Sequence, residues 1–190
     1  MIIYNFYKPF AAVSYDTTTF ADLCEYMKEE DVELVRVDPE QPLSKDYQYI
    51  NLVTQDFELR KQINQQLNEH TRFSYIHPST VVGKNTSIGQ GVFVYPMCAI
   101  YSNSTIDNDV LIHGHGFVAH GVRIKQGTIF APRVSVSGST TVGEYCFVGI
   151  GATLIDKVKV CNRAYIGAGA VVVDDIILAG TYIGVPAKQL

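Results

Sequence analysis

The sequence predicts two fold classes in one chain: a small Rossmann-like α/β subdomain of order β-α-β-β-α, followed by an all-β parallel β-helix. Three observations predict this. From Ile76 to Leu178 every sixth residue is Ile, Val, Leu or Phe, eighteen positions in a row. Four residues after each large position, from Thr80 to Ala170, stands a small or β-branched residue: Thr, Val, Cys, Ser, Gly or Ala. The first ~70 residues lack this period and carry helical and strand patterns instead.

The N-terminal elements follow in order. "MIIYN" reads as a strand. "TTTFADLCEYMKEE" reads as a helix, with Phe20, Leu23, Cys24 and Met27 on one face and Thr19 with Asp22 as its cap pair. "ELVRVD" and "YINLV" read as strands. "QDFELRKQINQQLNE" reads as a second helix with Leu59, Ile63 and Leu67 on one face. Parallel strands of this kind end in a ligand crevice. The boundary is set at residues 1–72 for the α/β subdomain and 73–190 for the solenoid.

The hexapeptide part is built from short strands that turn one large and one small side chain inward. The strict size limit on the second column requires a narrow interior. The run resembles the hexapeptide β-helix, in which three hexads make one 18-residue triangular coil, and the chain would then hold nearly six coils. Cys98 and Cys146 fall in the inward small column, so packing accounts for them. The residue before each large one points outward. One outward column reads Phe93, Leu111, Ile129, Phe147, Tyr165 and Ile183. It predicts an exposed apolar stripe, and a stripe of this length predicts an interface.

Composition narrows the function. Apolar residues make up 47% and charged residues 18%, as in a globular chain. The net charge is −4 with no Lys/Arg run, which argues against nucleic acid as a partner. No apolar run approaches ~20 residues, so no membrane insertion is expected. "MIIYNFYKPF" does not read as a signal peptide. The four scattered cysteines form no CxxC pair, and a reducing, cytoplasmic setting is expected.

Three of the five histidines fall within "HGHGFVAHG", residues 113–121. Solvated surface residues, a catalytic base with helpers, and metal ligands are the readings to weigh. The 18-residue column through His120 is Ser102, His120, Gly138, Asp156, Asp174. Gly138 is therefore expected one coil away, ~5 Å along the axis. Such a pair sets a base beside a hydrogen-bond donor, the two groups that transfer of an acyl group, among other reactions, requires. A neutral imidazole and a glycine N–H are suited to those tasks. No Ser-His pair or exposed Cys points to a covalent intermediate, which favours direct transfer.

A small α/β region, then "IHPSTVVG", an unbroken hexapeptide run, "VAHG", "VSVSGS", "FVGIGAT", "YIGAGAVVV" and "IGVPAKQL" together resemble the NeuD/PglD-type sugar acetyltransferases. The resemblance covers essentially the whole chain and is strongest over residues 75–190. It implies a left-handed β-helix. It also implies acetyl transfer from acetyl-CoA to an amine on a nucleotide-activated amino sugar, in surface-glycan synthesis, at sites between the subunits of a homotrimer. His120 falls on the family's base position. The cofactor positions carry over to Gly138, Ile150 and Ala168, with Lys188 beside a CoA phosphate. Ile129 stands where the family has a second histidine near the cofactor.

The sequence departs from the family in two ways. Gly121 stands where an acidic residue often follows the base, and His113 stands where relatives often carry Asn. His113 is then the candidate to orient His120 and to contact substrate. No Gly-rich turn follows the first strand, so Asp38 in "VRVDPE" and Thr54 in "LVTQD" are the candidate nucleotide contacts.

The alternative within the family is O-acetylation of a sialic-acid-type sugar. A different class also fits in part. "HGFVAHG" resembles γ-class carbonic anhydrases, with His115 and His120 at the spacing of two zinc ligands. The preceding coil, "MCAIYSNS", offers no third histidine, and Arg133 follows His115 in its column. A catalytic zinc needs three protein ligands, so no metal is expected.

Overall fold

The structure is a computed structural model that describes residues 2–3, 10–14, 17–27, 34–54 and 56–190. The chain divides into two compact units, Met1–Tyr75 and Ile76–Leu190.

The first unit contains β1 (Ile2–Ile3), β2 (Phe10–Val13), α1 (Thr17–Met27), β3 (Leu34–Val37), β4 (Gln48–Asn51), α2 (Phe57–Leu67) and β5 (Thr71–Arg72). β2 to β5 form one parallel sheet in the order β3-β2-β4-β5. Of the predicted first strand, "MIIYN", the described residues Ile2–Ile3 are a strand outside this sheet. β1 pairs antiparallel with Ser74–Ile76, Ile2 opposite Tyr75. The parallel sheet opens instead with "FAAV", which is wholly buried. Such a short apolar run has no period of its own, so only the sheet context reveals it. The predicted Thr19 cap is also corrected, because the backbone is already helical from Thr17. The predicted second helix shortens to α2, whose N-cap is Asp56. Its carboxylate accepts the Leu59 N–H at 2.9 Å. Ile63 and Leu67 are buried with Ala11, Val13 and Tyr49, and Leu59 packs against them.

The turn from β4 to α2 is fixed by buried polar groups. The Arg60 Nη1 donates to the carbonyls of Asn51 and Val53, both at 2.9 Å. The Asn51 amide donates to the Arg60 carbonyl and to Asn64 Oδ1. Its own Oδ1 accepts the Val53 N–H. An arginine is tolerated at 1% exposure because its fork finds acceptors there.

The second unit is a parallel β-solenoid of about six turns, the left-handed β-helix. Two-residue strands stack into three faces. The first runs from Phe93–Val94 through Leu111–Ile112, Ile129–Phe130, Phe147–Val148 and Tyr165–Ile166. The second runs from Val81–Val82 through Ala99–Ile100, Phe117–Val118, Ser135–Val136 and Thr153–Leu154 to Val171–Val172. The third runs from Ser87–Ile88 through Thr105–Ile106, Arg123–Ile124 and Thr141–Val142 to Lys159–Val160. Within each of these faces, neighbouring strands lie 18 residues apart in sequence. Corner turns join the faces, and every sixth residue from Asn85 to Gly169 holds a positive φ there. Ten of these fifteen are not glycine, so repeated backbone pairing holds a conformation that side chains ordinarily avoid.

The predicted period slips once. Val160 bridges to Ile176 rather than to Leu178, and Ile166 pairs with Tyr182. Ile176 is 5% exposed and Leu178 is 60% exposed. An isoleucine is too large for the small inward column. The last coil therefore drops two residues and seats Ile176 in the large position. Tyr165 then pairs with Thr181, so Ile183 does not end the outward column.

The predicted apolar stripe is corrected as well. Phe93, Leu111 and Ile129 are 0–1% exposed within the single chain, and Phe147 is half-buried. Tyr165, at 45%, and Ile183, at 43%, are open. Exposed apolar side chains lie instead on the second face and its two corners: Val81, Met97, Tyr101, Ile150, Ile155 and Val173.

Candidate active site

The three clustered histidines occupy two different corners. His113 and His115 lie in the turn between Leu111–Ile112 and Phe117–Val118, joining the first face to the second. His120 lies in the next turn, between Phe117–Val118 and Arg123–Ile124, joining the second face to the third. The short strand between them keeps them apart.

His120 is exposed, and its imidazole lies over Gly138 of the next coil. A Cβ at Gly138 would stand 2.9 Å from both Cε1 and Nε2 and 3.4 Å from Nδ1. Backbone ladders set this relationship. Gly121 donates its N–H to the Ser102 carbonyl, Ser139 to His120, and Lys157 to Gly138. The column Ser102, His120, Gly138, Asp156 thus stands in the order the 18-residue period predicts. Among the described residues, the His120 imidazole has no hydrogen-bond partner, and the Gly138 N–H donates to none. A free imidazole and a free amide donor therefore sit side by side on a solvent-facing corner. Gly121 has φ +67, the left-handed conformation of its corner, and a Cβ there would meet Ser139 only at 3.6 Å or more. Its backbone conformation, not lack of space, favours glycine at this position.

The His113 ring stacks on Tyr95 at 4.6 Å and 22°, and Tyr95 stacks on Phe93. His113 makes no hydrogen bond to the His120 imidazole. His115 holds φ +61 and is exposed, with Met97 and Arg133 on either side in its column. No group of three His, Cys, Asp or Glu side chains suited to a metal occurs among the described residues. Burial pushes the Cys98 thiol up and the Cys146 thiol to about 11, so neither offers a thiolate at neutral pH.

Ile150 and Ala168 are exposed on the corner between the first and second faces, one above the other. The Gly169 N–H donates to the Ile150 carbonyl at 2.8 Å. The second face separates them from Gly138. Ile129 is 1% exposed on the first face and has no surface to offer a cofactor. Lys188 is exposed in Lys188–Gln189, which pairs antiparallel with Thr181–Ile183.

In the first unit, β2 leads to β3 on one side of the sheet and β4 leads to β5 on the other. The direction of winding reverses between β2 and β4, where doubly wound sheets open their crevice. Thr54 lies just past the end of β4 and is half-buried. Asp38 follows β3, and its Oδ1 accepts the Glu40 N–H at 3.0 Å. Ser14, just past β2, is fully buried and donates its N–H to the Val37 carbonyl. Sequence reading passed over Ser14 because the strand preceding it was misplaced.

The bacterial transferase hexapeptide (six repeats) family matches residues 139–174. The UDP-3-O-acylglucosamine N-acyltransferase of Bordetella avium is 33% identical over 104 residues, 55% of this chain and 27% of that protein. The GDP-perosamine N-acetyltransferase of Escherichia coli O157:H7 is 28% identical over 124 residues, 64% of this chain and 55% of that protein. The chain thus spans about a quarter to a half of the length of these curated relatives. Solved structures match over nearly the whole chain, among them the following two. The acetyltransferase domain of PglB from Neisseria gonorrhoeae has a TM-score of 0.88 at 23% identity, over 96% of this chain and 100% of that one. PerB from Caulobacter crescentus, solved with CoA and GDP-perosamine, has a TM-score of 0.85 at 25% identity, over 96% and 97%. With its unbroken hexapeptide coils and a small α/β unit before them, the chain shares the left-handed β-helix fold of these acetyltransferase structures, and its residues 139–174 carry the hexapeptide transferase repeat.

Proposed function

We propose that the protein is an acetyl-CoA-dependent N-acetyltransferase acting on the amine of a nucleotide-linked amino-deoxy sugar, in cytoplasmic surface-glycan synthesis. The observation that carries this reading is the pairing of His120 with Gly138. His120 takes a proton from the attacking amine as the amine nitrogen bonds to the thioester carbonyl carbon. The Gly138 N–H donates to the oxygen as negative charge develops there. Collapse breaks the carbon–sulfur bond, and the CoA thiolate takes the proton from the imidazolium. The relatives support the substrate class, since one is a GDP-perosamine N-acetyltransferase and another was solved with CoA and GDP-perosamine.

The reading includes a homotrimer. His120 with Gly138 and Ile150 with Ala168 lie on opposite edges of the second face, on the order of 15 Å of chain apart. One pantetheine arm reaches both sets most simply when two subunits contribute one edge each. Ile155 and Val173, exposed at the edge of that face, supply the contact. Under this reading the cofactor runs past Ile150 and Ala168 toward Lys188. The nucleotide sits at the crevice between β2 and β4, near Thr54 and Asp38.

The test is thiol release from acetyl-CoA against a panel of UDP-, GDP- and dTDP-linked amino sugars. Release that depends on one of these amines supports the reading. Release with none of them, or with sialic-acid-type hydroxyl acceptors alone, contradicts it.

A further inference from the structure

We infer that Tyr101, together with Phe117, forms the platform for the acceptor's pyranose ring, an inference that rests on the acetyl-transfer reading above. On the His120 corner the coils stack in the order Ser102, His120, Gly138. Gly138 occupies the C-terminal side of the imidazole and carries the free N–H suited to the acyl oxygen. All the other exposed cofactor candidates also lie beyond residue 138. The amine must then reach Nε2 or Nδ1 from the N-terminal side, over the coil that holds Tyr101 and Ser102.

That coil offers an aromatic surface. The Tyr101 ring stands edge-to-face with Phe117 at 5.1 Å and 70°. Its backbone is pinned, with the N–H donating to the Val118 carbonyl at 2.8 Å and the carbonyl accepting from Thr86 Oγ1. Tyr101 is nonetheless 47% exposed, and its phenol hydroxyl has no partner among the described residues. The residues above it in its column are Ala119 and Ser137, too small to cover the ring. A fixed, half-open aromatic with a free hydroxyl, one coil from the base, is suited to a ring with one C–H-rich face and polar edges. An amino-deoxy pyranose is such a ring.

The experiment uses the full chain and the panel member that the wild type acetylates best. Tyr101→Ala should raise KM for that sugar about 10-fold. KM for acetyl-CoA and the sedimentation coefficient should not change. Tyr101→Phe keeps the ring and should stay within about threefold of wild type. An acceptor KM that does not move in Tyr101→Ala overturns the platform while leaving acetyl transfer standing. So does a smaller sedimenting species, which would make Tyr101 a subunit contact. A Phe variant as impaired as Ala overturns stacking in favour of the hydroxyl alone. A wild type that acetylates no panel member overturns the functional reading, and the platform with it.

Discussion

The imidazole of His120 lies so close over Gly138 that a methyl group there would stand 2.9 Å from two of its ring atoms. Glycine at 138 is therefore part of the seat of the base as well as a free donor. Gly138→Ala should push the ring out of place and lower kcat. The fold should survive, since His120 is exposed and can swing away. In the His120→Ala background the same change should cost far less, because no ring remains to displace. A double-mutant cycle on kcat reads this directly. Fully additive losses would separate the two residues.

The outer faces differ in what they tolerate. Leu111 is fully buried on the first face, so Leu111→Glu should prevent folding, as seen by circular dichroism. Ile155 is 36% exposed beside the second face. Ile155→Glu should fold normally and sediment as a species smaller than a trimer. A folded, fully trimeric Ile155→Glu would move the interface elsewhere.

The two-residue slip in the last coil sets apart two neighbouring apolar residues. Ile176 fills the interior and Leu178 faces out. Ile176→Ala should cost ~2–4 kcal/mol of unfolding free energy, and Leu178→Ala under ~1 kcal/mol. Denaturant titration checks both. Equal costs would mean that the unslipped period holds in solution.

Burial raises the Cys98 and Cys146 thiol pKa values, the latter to about 11. Thiolate is the reactive form, so at pH 8 both should resist iodoacetamide in the folded protein and react once it is unfolded. The sign for stability follows. A thiol pKa raised by folding favours the folded state below the unfolded value, and that advantage is lost as pH rises above it, toward 11 for Cys146. Peptide mapping by mass spectrometry checks the labelling. Prompt native labelling of Cys146 would contradict its burial.

The solenoid was legible because its interior repeats one physical demand every six residues. The His120–Gly138 pair was legible for the same reason, since an 18-residue period converts sequence distance into axial neighbours. The period was less informative where one residue outgrew its slot, as at Ile176. It did not reveal what covers an outward residue, and so Leu111 and Ile129 were read as exposed. It also did not locate β2, because four buried apolar residues read alike in a strand or a helix. The Arg60 network was missed because only the fold brings that side chain back to the end of β4.

The most direct test of acetyl transfer through His120 compares wild type with His120→Ala in the thiol-release assay. General-base catalysis contributes ~10²–10⁴-fold. His120→Ala should lose kcat by about that factor while KM for acetyl-CoA stays nearly unchanged. His115→Ala, on the other corner, should lose far less. Unchanged kcat in His120→Ala, or equal loss in the His120→Ala and His115→Ala variants together with loss of bound zinc, would contradict the account.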